Sequence, residues 1–230
     1  MAKNKAEGST EQLESVESAL TRTERFIEEN QKILSIIAGA IIVIVAIYLG
    51  IKRFYIKPLE KEAQSQIFVA ESYFERDSFN LALNGDGNNY GFIDVINEYG
   101  ITPTGNLAKY YAGVSYLNIG QYEEAIKYLK KYKPKDKIVG AISYGATGDA
   151  YMQLGETQKA IKYYLKAAHY NKNKFTSPIY LMKAGYAFES LKEYKDALRV
   201  YKEIKNEFPE STEGRNIDKY ITRVEVLIEL

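Results

Sequence analysis

Oxygen-bearing side chains crowd most closely in the loop Asn84-Gly85-Asp86-Gly87-Asn88-Asn89. Carboxylate and amide oxygens at alternating positions are what a hard divalent cation takes, so the loop invites a calcium reading. Counted from Asp86, however, the fifth position is Tyr90 and the twelfth is Asn97, where such a loop needs oxygen ligands including a glutamate. Glycine and asparagine also suit a tight turn between helices, and a turn without metal is the expectation. His169 is the sole histidine. No nucleophile is identifiable beside it, and a cation late in a helix interacts favourably with exposed carbonyls, so a surface or capping histidine is expected. With no cysteine in the chain, thiol catalysis, thiolate metal sites and disulfides are excluded. No nucleophile with a base, metal set or phosphate loop is found, so the sequence predicts no enzyme, no catalytic residue and no cofactor.

Lysine and arginine number 31 against 30 acidic residues, a net charge of +1, which leaves no long-range field to attract nucleic acid. The 46% hydrophobic content is that of a folded protein. Tyrosine is abundant, at 21 residues, and falls mostly between Tyr90 and Tyr220.

Several elements position these residues. From Ile33 to Ile51 the chain reads ILSIIAGAIIVIVAIYLGI without a charge. As a helix this stretch is about 28 Å long against a hydrocarbon core of about 30 Å, which predicts a transmembrane helix over 33–51. Lys32, Lys52 and Arg53 bound it, and Tyr48, Phe54 and Tyr55 suit the membrane interface. A buried core helix and a cleaved signal peptide are the alternatives. The sequence around Tyr48-Leu49-Gly50-Ile51 lacks a small-residue cleavage site, so an uncleaved anchor is expected. Basic residues on the two sides nearly balance (Arg22, Arg25 and Lys32 before; Lys52, Arg53, Lys57 and Lys61 after), so charge does not decide the orientation. Residues 1–32 form a polar tail. Ser9 and Gln12 are spaced as a capping box and Leu13, Val16, Leu20 and Ile27 share a face, which fits a short amphipathic helix as well as a solvated tail.

Beyond Pro58 helical periodicity is nearly continuous, and the chain is self-similar. One unit reads Gly113-x-x-Tyr116-x-x-x-Gly120-x-Tyr122-x-x-Ala125. The next reads Gly148-x-x-Tyr151-x-x-x-Gly155-x-Thr157-x-x-Ala160-x-x-x-Tyr164-x-x-Ala167, and a third Gly185-x-x-Phe188-x-x-x-Lys192-x-Tyr194-x-x-Ala197-x-x-x-Tyr201, closing at Pro209. The small residue lets two antiparallel helices approach, the glycine takes the turn, and the aromatics fill the wedge to the next helix. Upstream, Pro58 to Leu81 reads as one long helix with Leu59, Ala63, Ile67, Ala70 and Phe74 on one stripe. Gly91 to Tyr99 reads as a short second helix.

These motifs resemble the tetratricopeptide repeat, departing from it at Lys192, at Thr157 and in lacking tryptophan. The expected fold is all-α: the single N-terminal transmembrane helix, then an α-solenoid of about four helix pairs. Its parts are a long helix and degenerate first repeat over 58–105, three repeats over 106–212 and a capping helix over 213–230, which covers the last apolar face.

In that family the first helix of each unit lines a concave groove. Carried over, this implies a partner-binding lining of Tyr110, Asn118, Asp149, Met152, Gln153, Tyr186 and Glu189, aromatic, polar and somewhat acidic, suited to extended peptide segments. A basic clamp for a terminal carboxylate is missing. A polar tail, one span and about four repeats together resemble the YfgM-type ancillary components of the bacterial Sec translocon. That resemblance implies a protein of the inner (plasma) membrane with its N-terminus cytoplasmic and its repeats periplasmic. Its partners would be translocon subunits, a membrane-anchored prolyl isomerase and extended client polypeptides, with no nucleic acid. The alternative is a structural adaptor in envelope assembly or cell division.

Overall fold

The computed structural model describes the backbone of residues 3–230 and the side chains of residues 26–230, in two units, 1–57 and 58–230. Helix α1 (Lys3–Ile51) makes up nearly all of the first, followed by one π-helical turn over Lys52–Ile56. Its apolar side chains stand open: Ile36 is 71% and Ile42 68% exposed, and the apolar window is 0% buried. A core helix would be covered by other parts of the chain, so that alternative falls. The helix is long and apolar enough to cross a bilayer, a test that a signal sequence near the N-terminus also passes. The expected capping box at Ser9 and Gln12 and the stripe through Leu13, Val16 and Leu20 lie outside the described side chains.

The second unit contains α2 (Lys57–Glu75), α3 (Phe79–Asn84), α4 (Phe92–Tyr99), α5 (Pro103–Asn118), α6 (Tyr122–Lys131), α7 (Lys137–Gln153), α8 (Thr157–Tyr170), α9 (Ser177–Ser190), α10 (Tyr194–Glu207) and α11 (Asp218–Glu229). No strand occurs among the described residues. Helices α5/α6, α7/α8 and α9/α10 are antiparallel pairs, and α11 packs on α10 as the cap.

Local chemistry fixes the helix ends. The Thr102 hydroxyl accepts from Gly105 N–H at 3.0 Å, with Pro103 next in line, and the Asp136 carboxylate accepts from the N–H groups of Ile138 and Val139, both at 2.8 Å. Within each pair the turn residue is left-handed: φ is 77° at Gly120, 73° at Gly155 and 60° at Lys192. Lysine bears a Cβ crowding that glycine avoids, roughly 1–2 kcal/mol. Lys192→Gly is therefore expected to raise stability by about 1 kcal/mol, less the entropy that glycine adds to the unfolded chain, read as a higher urea midpoint at unchanged slope.

Glycines also set the spacing of each pair. A Cβ at Gly113 would lie 2.5 Å from Leu129 Cγ, one at Gly148 2.6 Å from the Tyr164 ring, and one at Gly185 2.2 Å from Tyr201 Cε1. The second helix thus presses a large side chain directly onto the backbone of the first. Many of the tyrosines are core: Tyr151, Tyr164, Tyr180 and Tyr201 belong to one buried cluster.

The long helix expected over Pro58 to Leu81 stops at Glu75, correcting that expectation. Asp77 is left-handed, at φ 56°, and α3 starts after Ser78. In an unbroken helix Phe79, five residues on, would face away from Phe74. The break returns it to a ring cluster in which Phe74 lies 5.6 Å from Phe79, 6.1 Å from Phe92 and 5.1 Å from Tyr111. The stripe Ala63, Ile67 and Ala70 is buried as its spacing predicts.

The starts of α2 and α5 meet: Thr104 donates to Glu60 through its N–H at 3.0 Å and its hydroxyl at 2.8 Å. The Asn106 amide brackets Lys133, donating to its carbonyl at 2.8 Å and accepting from its N–H at 3.0 Å, and Ser177 Oγ donates to the Ala168 carbonyl at 2.7 Å. One end of the unit therefore gathers the starts of α2, α5, α7 and α9 with the ends of α6 and α8.

Candidate protein-binding face

The first helices α7 and α9 and the cap α11 meet laterally through charged and aromatic pairs. Asp149 on α7 accepts from Tyr164 Oη at 2.8 Å and from Lys183 Nζ of α9 at 2.7 and 2.8 Å. One repeat later Glu189 on α9 accepts from Tyr201 Oη at 2.5 Å and from Arg223 Nη2 of α11 at 2.6 Å. Burial raises the Tyr164 and Tyr201 hydroxyls well above the usual phenol range, and the adjoining carboxylates add to it. Both hydroxyls stay protonated and serve as donors. Tyr186 rests edge-on against Tyr220 at 5.6 Å and is pushed up to about 12 by burial and by its bond to Tyr220.

The groove set inferred from the repeats separates into three groups. Asn118, Gln153 and Tyr186 are exposed, Tyr186 by 45%. Asn118 folds its amide onto the Val114 carbonyl at 2.8 Å. Tyr110 is half-buried between Tyr111 at 5.5 Å and Tyr132 at 5.7 Å, and Met152 is half-buried against the core. Asp149 and Glu189 do not project as free acids. Each is neutralised by a cation from the next unit, so the face is not acidic as expected. Sequence reasoning missed Lys183 and Arg223, yet each follows its carboxylate by 34 residues, one repeat length.

The second helices carry a parallel ladder. His169 Nε2 lies 2.9 Å from Glu203 Oε1, Lys172 reaches Glu207 at 2.5 Å, and Gln158 donates to Glu193 at 2.6 Å, with separations of 34 or 35 residues. His169 is thus a strut between α8 and α10.

Asp86 accepts from the backbone N–H groups of Asn88 at 2.9 Å and Asn89 at 2.7 Å, from the Asn89 side chain and from Tyr73 Oη at 2.8 Å. Its oxygens face the loop's own donors, the geometry of a turn. Among the described residues no cluster of three His, Cys, Asp or Glu could hold a metal. Those donors, the Asn89 side chain foremost and then Tyr73, hold the carboxyl well below its ordinary 3.8. A depressed folded pKa stabilises the loop above the unfolded pKa and loses that contribution as pH falls. Amide exchange at Asn88 and Asn89, corrected for intrinsic rates, is therefore expected to lose protection as pH drops below about 4, with no change in α7.

Models of the tetratricopeptide repeat match residues 107–133 and 144–212. Among solved structures, a crystal structure of nearly identical TPR-like repeats from Podosopora anserina aligns at 14% identity over 73% of this chain and 87% of its own, with a TM-score of 0.55. The crystal structure of MamA aligns at 22% identity over 60% of this chain and 89% of its own, with a TM-score of 0.42. No curated protein sequence matches the chain.

Proposed function

We propose that this chain of tetratricopeptide repeats is a membrane-anchored, non-catalytic scaffold that receives extended segments of exported polypeptides beside a Sec-type translocon. Tetratricopeptide repeats are protein–protein interaction modules, and that much rests on the repeats themselves. The finer reading places α1 across a bacterial inner membrane over 33–51, its N-terminus in the cytoplasm and the repeats in the periplasm.

The observation that carries this reading is the neutralised first-helix face. With Asp149 and Glu189 paired internally, what remains exposed is Tyr186, Gln153 and Asn118, beside the partly covered Met152. Such a surface contacts apolar and amide groups of many sequences and demands no charge from its ligand. An extended client polypeptide and a segment of a membrane-anchored prolyl isomerase both supply those groups.

Protease added to cells tests the placement. Cleavage of the repeats only after outer-membrane permeabilisation is the expected outcome. Repeats protected until the inner membrane is lysed would contradict it.

A further inference from the structure

The end that gathers the starts of α5, α7 and α9 has a composition of its own. Each junction there exposes an apolar side chain: Ile101 (64%) before α5, Ile138 (40%) at the start of α7, and Phe175 (68%) before α9. Between them stand Lys131, Lys133, Lys135, Lys137 and Lys174, all exposed, and none has an ion-pair partner among the described residues. Lys109, at the same end, is shifted down by burial and then by the charges of Lys133 and Lys131. Of the acids nearby, Glu60 holds Thr104, Asp136 caps α7 and Glu207 pairs with Lys172, while Glu210 and Glu213 line a pocket together with Lys174, Phe175 and Arg215. The opposite end, with the turns at Gly120, Gly155 and Lys192, carries Glu123, Glu124, Glu156 and Glu193 beside Lys127, Lys159 and Lys195, of which Lys127 and Lys159 are ion-paired, and it exposes Leu191 (37%) and, near the end of α11, Val226 (53%).

Exposed apolar tips set among unpaired lysines fit an anionic bilayer surface, where ammonium groups meet phosphates while rings and branched chains enter below them. The chain also arrives at this end. Glu60 bonds Thr104 here, and residues 52–57 separate Ile51 from Pro58 in the chain. We propose that this end of the repeat array is a second, peripheral membrane contact, with the 131–137 lysines on anionic headgroups and Phe175 inserted at the boundary with the acyl chains. The proposal rests on reading α1 as a membrane span. Total charge concealed the surface, because the lysines concentrated here are balanced by acids elsewhere.

The chain has no cysteine, so a Phe175→Cys variant carries an environment-sensitive fluorophore at one site only. The full chain is reconstituted in vesicles of phosphatidylcholine, or of an equal mixture with phosphatidylglycerol. The expected result is flotation with both, and blue-shifted, acyl-quencher-sensitive emission with the anionic mixture alone. A Gln121→Cys label at the opposite end stays water-like throughout. Lys133→Ala and Lys135→Ala each lower the lipid-inserted population about fivefold, and high salt does likewise. Water-like emission at position 175 in chains that float with both vesicles overturns the contact and leaves the anchor standing. Failure to float with either overturns the anchor and the contact together. A blue shift with polyglutamate but none with anionic lipid also overturns it and gives the surface to a protein partner.

Discussion

Tyr201→Ala lowers the unfolding free energy by about 4 kcal/mol, within the range for deleting a buried aromatic ring. Tyr201 is 0% exposed, its ring lies over the Gly185 backbone, and its hydroxyl donates to Glu189 at 2.5 Å. Alanine opens a cavity between α9 and α10 and leaves Glu189 with Arg223 alone. Tyr201→Phe keeps the ring and removes the donor, an expected loss of about 1–2 kcal/mol. Gly185→Ala loads the same contact from the other side, since its Cβ would lie 2.2 Å from the ring, and overpacking of this kind costs about 1–3 kcal/mol. Repeat arrays are stabilised through nearest neighbours, so the damage is local. Hydrogen exchange should show lost protection through α9, α10 and α11 with little change in α2 and α5. Uniform loss along the unit would mean that it folds as one indivisible body.

The second large effect concerns the membrane. Ile42→Arg with Val45→Arg should release the full-length chain from membranes on alkaline extraction, where the unaltered chain stays in the pellet. Each arginine at the centre of an inserting helix costs roughly 2.5–3.5 kcal/mol, so the pair outweighs much of the drive to insert the 33–51 stretch. Ile42→Leu with Val45→Leu keeps the apolar character and should stay in the pellet. Were α1 a cleaved signal instead, the mature chain would lack residues 1–51, and its N-terminal sequence shows directly whether they are retained.

Much of the fold was legible in the sequence because the repeat imposes one steric demand three times. Gly113, Gly148 and Gly185 stand where a large side chain of the partner helix presses on the backbone, and spacing alone exposes that. Lys192 departs from the glycine pattern and still adopts the left-handed turn, since neighbouring packing outweighs a local preference. The break at Asp77 was not legible. The stripe through Phe74 is good helical periodicity, and only the three-dimensional meeting of Phe74, Phe79, Phe92 and Tyr111 ends the helix there.

The candidate binding face was half legible. Chain position identified the first helices, but the state of Asp149 and Glu189 depends on residues a full repeat away. Read at an offset of 34, Lys183 and Arg223 would have revealed the pairing, as would Glu203 for His169. The lysine-rich end was visible as the run Lys127 to Lys137, yet a count over the whole chain averages it against distant acids.

The first-helix face is proposed to receive extended polypeptide. A photo-reactive side chain at Gln153 or Tyr186, in the full chain reconstituted beside a translocon engaged with an exported polypeptide, tests it most directly. Cross-links to the polypeptide are expected from both positions and none from Lys162 or Lys195 on the second helices. Equal cross-linking from both faces, or from Lys162 and Lys195 alone, would contradict it.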